Sequence, residues 1–154
     1  MLKDVTDQPV RNAAPTREAR LLGIAGLLPF VAGAAALWTL PPEWLGFAAN
    51  ALLAYAALIV SFLGGIHWGL AMPQPTLRRK QLIWGVLPSL LGWAALLLNS
   101  VWGLVLMAAS LLLCYVVDTH LYRAQGLGPW LRLRAMLTAV AVASCLSAVA
   151  AVVL

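Results

Sequence analysis

Charge in this chain is confined to a few short stretches, and that confinement restricts the fold more than any motif does. Glu43 is the one charged residue between Leu21 and Leu77. Residues 81–117 and 135–154 carry none. Apolar runs of roughly twenty residues match α-helices that cross a hydrocarbon core of about 30 Å at about 1.5 Å per residue. They are too long for the roughly ten-residue alternating strands of an outer-membrane barrel. With 63% hydrophobic and 10% charged residues, the composition lies far outside that of soluble globular domains. The chain reads as one all-α, polytopic membrane domain, a bundle of five transmembrane helices.

The five spans are expected at about 21–40, 45–72, 81–98, 101–121 and 133–154, behind a tail at 1–20. That tail lacks an apolar core and mixes Asp4, Asp7 and Glu18 with Lys3, Arg11, Arg17 and Arg20. It resembles neither a signal peptide nor an acid-poor transit peptide, and is expected to be cytoplasmic. The other basic residues are Arg78, Arg79 and Lys80 between spans two and three, and Arg123, Arg132 and Arg134 between four and five. All ten therefore fall on one side. The positive-inside rule puts the N-terminus in the cytoplasm and the C-terminus outside. The net charge of +5 is thus a topology signal, not a nucleic-acid surface. Trp38, Trp44 and Trp102 are expected at the outer interface, and Trp68, Trp84 and Trp130 at the inner one. Trp93 lies within a span and is expected in the packed core.

Small residues suggest how the helices meet. Ser61, Gly65 and Gly69 recur every fourth position, a stripe that admits a neighbouring backbone. Ala135, Ala139, Ala143, Ser147 and Ala151 form a second stripe in span five, a natural partner for span two. A short echo, "GLLP" at 26–29 and "GVLP" at 85–88, is compatible with a two-helix repeat or with chance in a Leu/Gly-rich chain.

The segment "SFLGGIHWGLAM" (61–72) poses the functional question, because an ionisable side chain in lipid is costly and tends to mark a site. His67 points about 160° away from Gly65 at about 100° per residue, and sits about 9 Å from the basic end of its helix. Asp118 lies at a similar depth in span four. Pro29 and Pro88 free the carbonyls of Ala25 and Trp84 in the same layer. These groups are expected to converge inward, on each other, on water or on a ligand. The alternatives are a carboxylate that reaches Arg123 or the Arg132/Arg134 pair, and an imidazole bonded to a helix carbonyl. His120 is expected at the interface, about 160° round its helix from Asp118.

The candidate ligand-binding residues are His67, Trp68, Asp118, Arg123, Arg132 and Arg134; the candidate helix-packing residues are Ser61, Gly65, Gly69, Ala139, Ala143 and Ser147. No catalytic constellation and no metal-ligand spacing is legible, and Cys114 and Cys145 form no Cys-x-x-Cys pair. A di-iron site would need several carboxylates on facing helices. Haem between His67 and His120 is chemically conceivable but not favoured by their depths. A proton or ion path would want more polar groups in the outer half than Asn50 and Tyr55. The cofactor is unknown.

The blocks "LLGIAGLLPF", "SFLGGIHWGLA", "GVLPSLLGW" and "YVVDTHLYRAQGLGPWLRLRAMLTAV" resemble the membrane family labelled domain of unknown function 3429, the transmembrane protein 69-like proteins. The resemblance covers roughly residues 20 to 145 and is most specific at 61–69. It implies a five-helix protein of a bacterial or mitochondrial inner membrane, and here a bacterial one. It brings no assigned activity and no catalytic residues.

Two functions remain open from the residues. The first is a non-enzymatic accessory or scaffold protein that contacts membrane lipids, other inner-membrane proteins or a second copy of itself. The second is a quinone- or lipid-binding protein, whether transporter or enzyme, with a polar pocket around His67 and Asp118.

Overall fold

The computed structural model describes residues 14–72, 79–124 and 126–154. Among them it contains six α-helices and one 3₁₀ turn: α1 (Arg17–Ala25), α2 (Leu28–Thr39), α3 (Pro42–Ala71), α4 (Arg79–Leu96), α5 (Ser100–Ala124), the turn Gly128–Trp130, and α6 (Leu131–Val153). No strand occurs among the described residues. The expected tail reached Arg20, but helix begins at Arg17. The Thr16 hydroxyl accepts from the Ala19 amide at 3.2 Å and satisfies one of the first-turn donors. Residues 1–13, and Arg78 with its loop, lie outside the described residues.

The first apolar run is broken into α1 and α2 at Gly26–Leu27. Pro29 has no N–H to continue the ladder, and the chain tightens there through a Leu27 N–H to Ile24 carbonyl bond of 2.9 Å. Tyr55 of α3 donates its hydroxyl to the Gly26 carbonyl at 2.8 Å, and its ring stands edge-on to Phe30 at 5.2 Å. Pro88 behaves differently, remaining inside α4. The two "G-x-L-P" segments therefore do not fold alike.

The turns have legible causes. Pro42 opens α3 at the position where a missing N–H costs nothing. The Asn99 side chain accepts from the Trp102 amide at 3.1 Å and caps α5. Gly126 adopts φ 75°, and the Leu127 N–H returns to the Tyr122 carbonyl at 2.8 Å, which closes α5 in the left-handed manner glycine permits.

Together α1–α2 form an apolar stretch of 23 residues; with α3, α5 and the segment Gly128–Val153 this makes four helical stretches, among the described residues, long and apolar enough to cross a membrane. Their outward faces are apolar, with Leu22, Phe47, Leu58, Phe62, Trp102 and Leu112 all exposed. Such a surface suits lipid rather than water. The protein is a multi-pass membrane protein. The 18-residue α4 lies along α3.

Helix α3 is central, touching α2, α4, α5 and α6. Its closest neighbour is α4, whereas α6 packs mainly on α5 and α2. The expected pairing of spans two and five is thus a minor contact. The seam with α4 runs through Ala57, Ser61, Gly64 and Trp68, a spacing of four, three and four that keeps a left-handed pair in register. A Cβ on Gly64 would overlap the Gly85 carbonyl oxygen, and a Cβ on Gly92 would come within 3.1 Å of the Ala57 carbonyl. Ser61 and Ser89 hydroxyls bond at 2.8 Å on the same seam.

Gly65 and Gly69, one residue round, have nothing within 4 Å of the Cβ position. A strict every-fourth stripe drifts off a 3.5-residue seam, which is why Ser61 stays in it and the two glycines leave it. Ala139 and Ala143 are likewise exposed, while the neighbouring Ala141, Ser144, Cys145 and Ala148 of α6 are buried. Ser147 does meet a neighbour, accepting from Trp38 Nε1 at 3.1 Å. Trp93 is 63% exposed rather than packed in the core, because Gly92 takes the inward position beside it.

Candidate functional site: a buried His–Asp–Arg cluster beside an apolar cleft

His67 faces inward because it lies only about 60° round α3 from Gly64, on the packed side of the helix. It is 1% exposed. Its Nε2 lies 3.0 Å from Oδ1 of Asp118, which α5 presents at 2% exposure. The second carboxylate oxygen accepts from Arg134 of α6, through Nε at 2.8 Å and through Nη2. Three helices are joined by one carboxylate.

The arrangement satisfies the acceptor with strong, charge-assisted bonds. The Asp118 and Arg134 charges cancel within the cluster, which offsets much of the cost of holding them in a low-dielectric interior. With the Nε2–H donating to Asp118, Nδ1 of His67 is left as an acceptor, and it is buried with no partner. The Trp84 ring stands edge-on to the imidazole at 6.4 Å.

Of the six candidate ligand-binding residues, the structure unites His67, Asp118 and Arg134. The other three are elsewhere. Trp68 donates its Nε1–H to the Leu82 carbonyl at 2.9 Å and forms part of the α3–α4 seam. Arg123 is exposed, and Arg132 is exposed beside Arg20 in a hollow between the start of α1 and α6. His120 is exposed on a different face of α5. Among the described residues no group of three or more metal-ligating side chains occurs.

Residue order gives no sign of the space next to the cluster. A cleft of about 560 Å³ opens between α1–α2, α3 and α6. Leu27, Phe30, Ile59, Leu63, Ile66 and Leu137 are among its apolar walls, and Arg134, Tyr122 and Thr138 supply polar groups. The Thr138 hydroxyl is buried without a partner. Arginine carries five donors in a planar fork, and two of them are engaged by Asp118. Asp118 thus orients a guanidinium that borders an apolar cleft. Arg20 and Arg132 share a hollow between α1 and the start of α6, and Arg134 lies in the first turn of α6.

A family model described as "Protein of unknown function (DUF3429)" matches residues 15–150. Transmembrane protein 69 of Xenopus tropicalis is 36% identical over 136 residues, which is 83% of this chain and 52% of that protein. The Mus musculus protein of the same name is 31% identical over 86 residues, 54% of this chain and 35% of that protein. The chain therefore spans about half or less of the relatives it matches. No solved structure matches it.

Proposed function

This chain belongs to the family of unknown function DUF3429, and on that premise we propose that it holds an amphiphile in the membrane, a quinone or a lipid with one polar head. The observation that carries this reading is the cleft of about 560 Å³, apolar along its length and bordered by Arg134. A chain of isoprenoid or acyl carbons suits the leucine and phenylalanine walls, since apolar burial needs no directional partner. A carbonyl or anionic oxygen of the head suits the guanidinium and the Thr138 hydroxyl. The His67–Asp118–Arg134 cluster then acts as the positioning frame, holding the guanidinium toward the ligand. The role is non-enzymatic, and the protein sits in a bacterial inner membrane. Helix α4 serves as the fifth span, with the basic end of the bundle in the cytoplasm and the C-terminus outside.

Native mass spectrometry of protein extracted gently from its own membrane tests the reading, with Leu137→Trp beside wild type. A stoichiometric quinone or lipid on wild type and absent from the variant supports it. Wild type without an adduct, or an adduct equally held by the variant, overturns it.

The accessory or scaffold reading has its own observation. Gly65 and Gly69 lie open on the outer face of α3, where another transmembrane helix could approach closely. Loss of a co-purifying membrane protein or of self-association in Gly65→Leu, with cleft ligand retained, favours that role.

A further inference from the structure

A second hollow of about 560 Å³ lies between the start of α4 and α5. It shares no lining residue with the apolar cleft. Arg79, Lys80, Gln81, Trp84 and His120 are in its wall. Gln81 is 4% exposed, and neither the nitrogen nor the oxygen of its amide has a partner. One turn further along α4, the Trp84 Nε1–H is also buried with no acceptor. Buried polar groups are paired in the great majority of cases. Three unpaired atoms sit on two residues, one turn apart, that line one hollow beside two cations, and they call for a polar group from outside the chain, reached by a turn of the side chains.

The chemistry of that group can be narrowed. Arg79 and Lys80 are exposed cations in the first turn of α4, the end at which a helix dipole also favours negative charge. Indole nitrogen only donates, whereas a glutamine amide both donates and accepts. We propose that this hollow binds a phosphate group that carries a neighbouring hydroxyl, as in a glycerol phosphate headgroup. Arg79 and Lys80 neutralise the phosphate, the Trp84 and Gln81 N–H groups donate to its oxygens, and the Gln81 oxygen accepts from the hydroxyl. The site is independent of the amphiphile reading, which uses the other side of α5 and the face of α6.

The test is lipid retention measured by native mass spectrometry in neutral detergent, titrating phosphatidylglycerol against phosphatidylcholine. Wild type is expected to retain phosphatidylglycerol about tenfold better, and Gln81→Leu to lose about tenfold in that retention. The leucine replaces an unpaired amide by an apolar group of similar size, so the melting temperature should hold or rise, which separates lost binding from lost folding. If Gln81→Leu melts early, the exposed pair Arg79→Gln/Lys80→Gln decides by the same measurement. Displacement of phosphatidylglycerol by excess inorganic phosphate or glycerol phosphate identifies a soluble phosphate as the occupant. Resistance to both identifies the lipid. Equal retention of the two lipids by wild type, or undiminished retention by the deciding variant, overturns the proposal.

Discussion

His67 Nε2 and Asp118 Oδ1 are 3.0 Å apart in the interior of the bundle, and the other oxygen of the same carboxylate is taken by Arg134. The bond fixes α3 against α5, and the guanidinium ties α6 to both. Few contacts in this fold are directional, because lipid-facing helices pack mostly by shape. The cluster therefore sets the relative level and rotation of three helices and holds Arg134 at the border of the cleft.

Asp118→Asn should destabilise the protein by about 3 kcal/mol, since removing one partner of a buried pair strands the other charge. Unfolding in mixed micelles measures it. In a double-mutant cycle with Arg134→Gln, the double variant should lose at least about 1 kcal/mol less than the sum of the singles. Strict additivity would show that the two groups do not act together.

Gly64→Leu and Gly65→Leu should differ sharply despite their adjacency. The first pushes a side chain into the Gly85 backbone and should cost about 3 kcal/mol or prevent folding altogether. The second enters open space and should stay within about 0.5 kcal/mol. Thermal melts of the two purified variants, side by side, would expose an error in the seam if they matched.

Tyr55→Phe keeps the edge-on contact with Phe30 and removes the hydroxyl that serves the Gly26 carbonyl. The cost should be about 1 kcal/mol. Because that carbonyl sits at the α1–α2 break, hydrogen exchange should rise around residues 24–30 and not in α5. A uniform rise would mean that the hydroxyl matters to the whole bundle rather than to the break.

The proposed orientation predicts labelling from opposite sides. Glu43→Cys, exposed at the start of α3, should react with a membrane-impermeant maleimide on intact cells. Glu18→Cys, exposed in the first turn of α1, should react only after permeabilisation. Cys114 and Cys145 are 1% and 0% exposed, so the native thiols give little background. The reverse pattern refutes the assignment of inside and outside.

Much of the candidate site was legible and part of it was not. That His67 and Asp118 are rare ionisable groups at similar depth follows from counting along two helices. Arg134 emerged as the partner of Asp118 from three arginines of equal standing in the chain, and nothing in residue order separates it from Arg123 or Arg132. Nothing in residue order singles out Gln81, which opens span three directly after "RRK", or Trp84, which reads as an interface anchor. Only burial without a partner distinguishes them.

Residue order by itself determined the membrane solvent, the helical class and the matching level of His67 and Asp118 on their helices, because these depend on transfer energy and rise per residue, both of which add along a line. Tertiary structure decided the rotation of each helix: Gly64 rather than Gly65 in the seam, Trp93 outward, Arg134 on Asp118, and a cleft where the first apolar run breaks at Gly26. In lipid the surroundings are as apolar as a leucine face, so hydrophobic patterning does not mark the inner side of a helix. Close packing and the pairing of a few polar groups mark it instead.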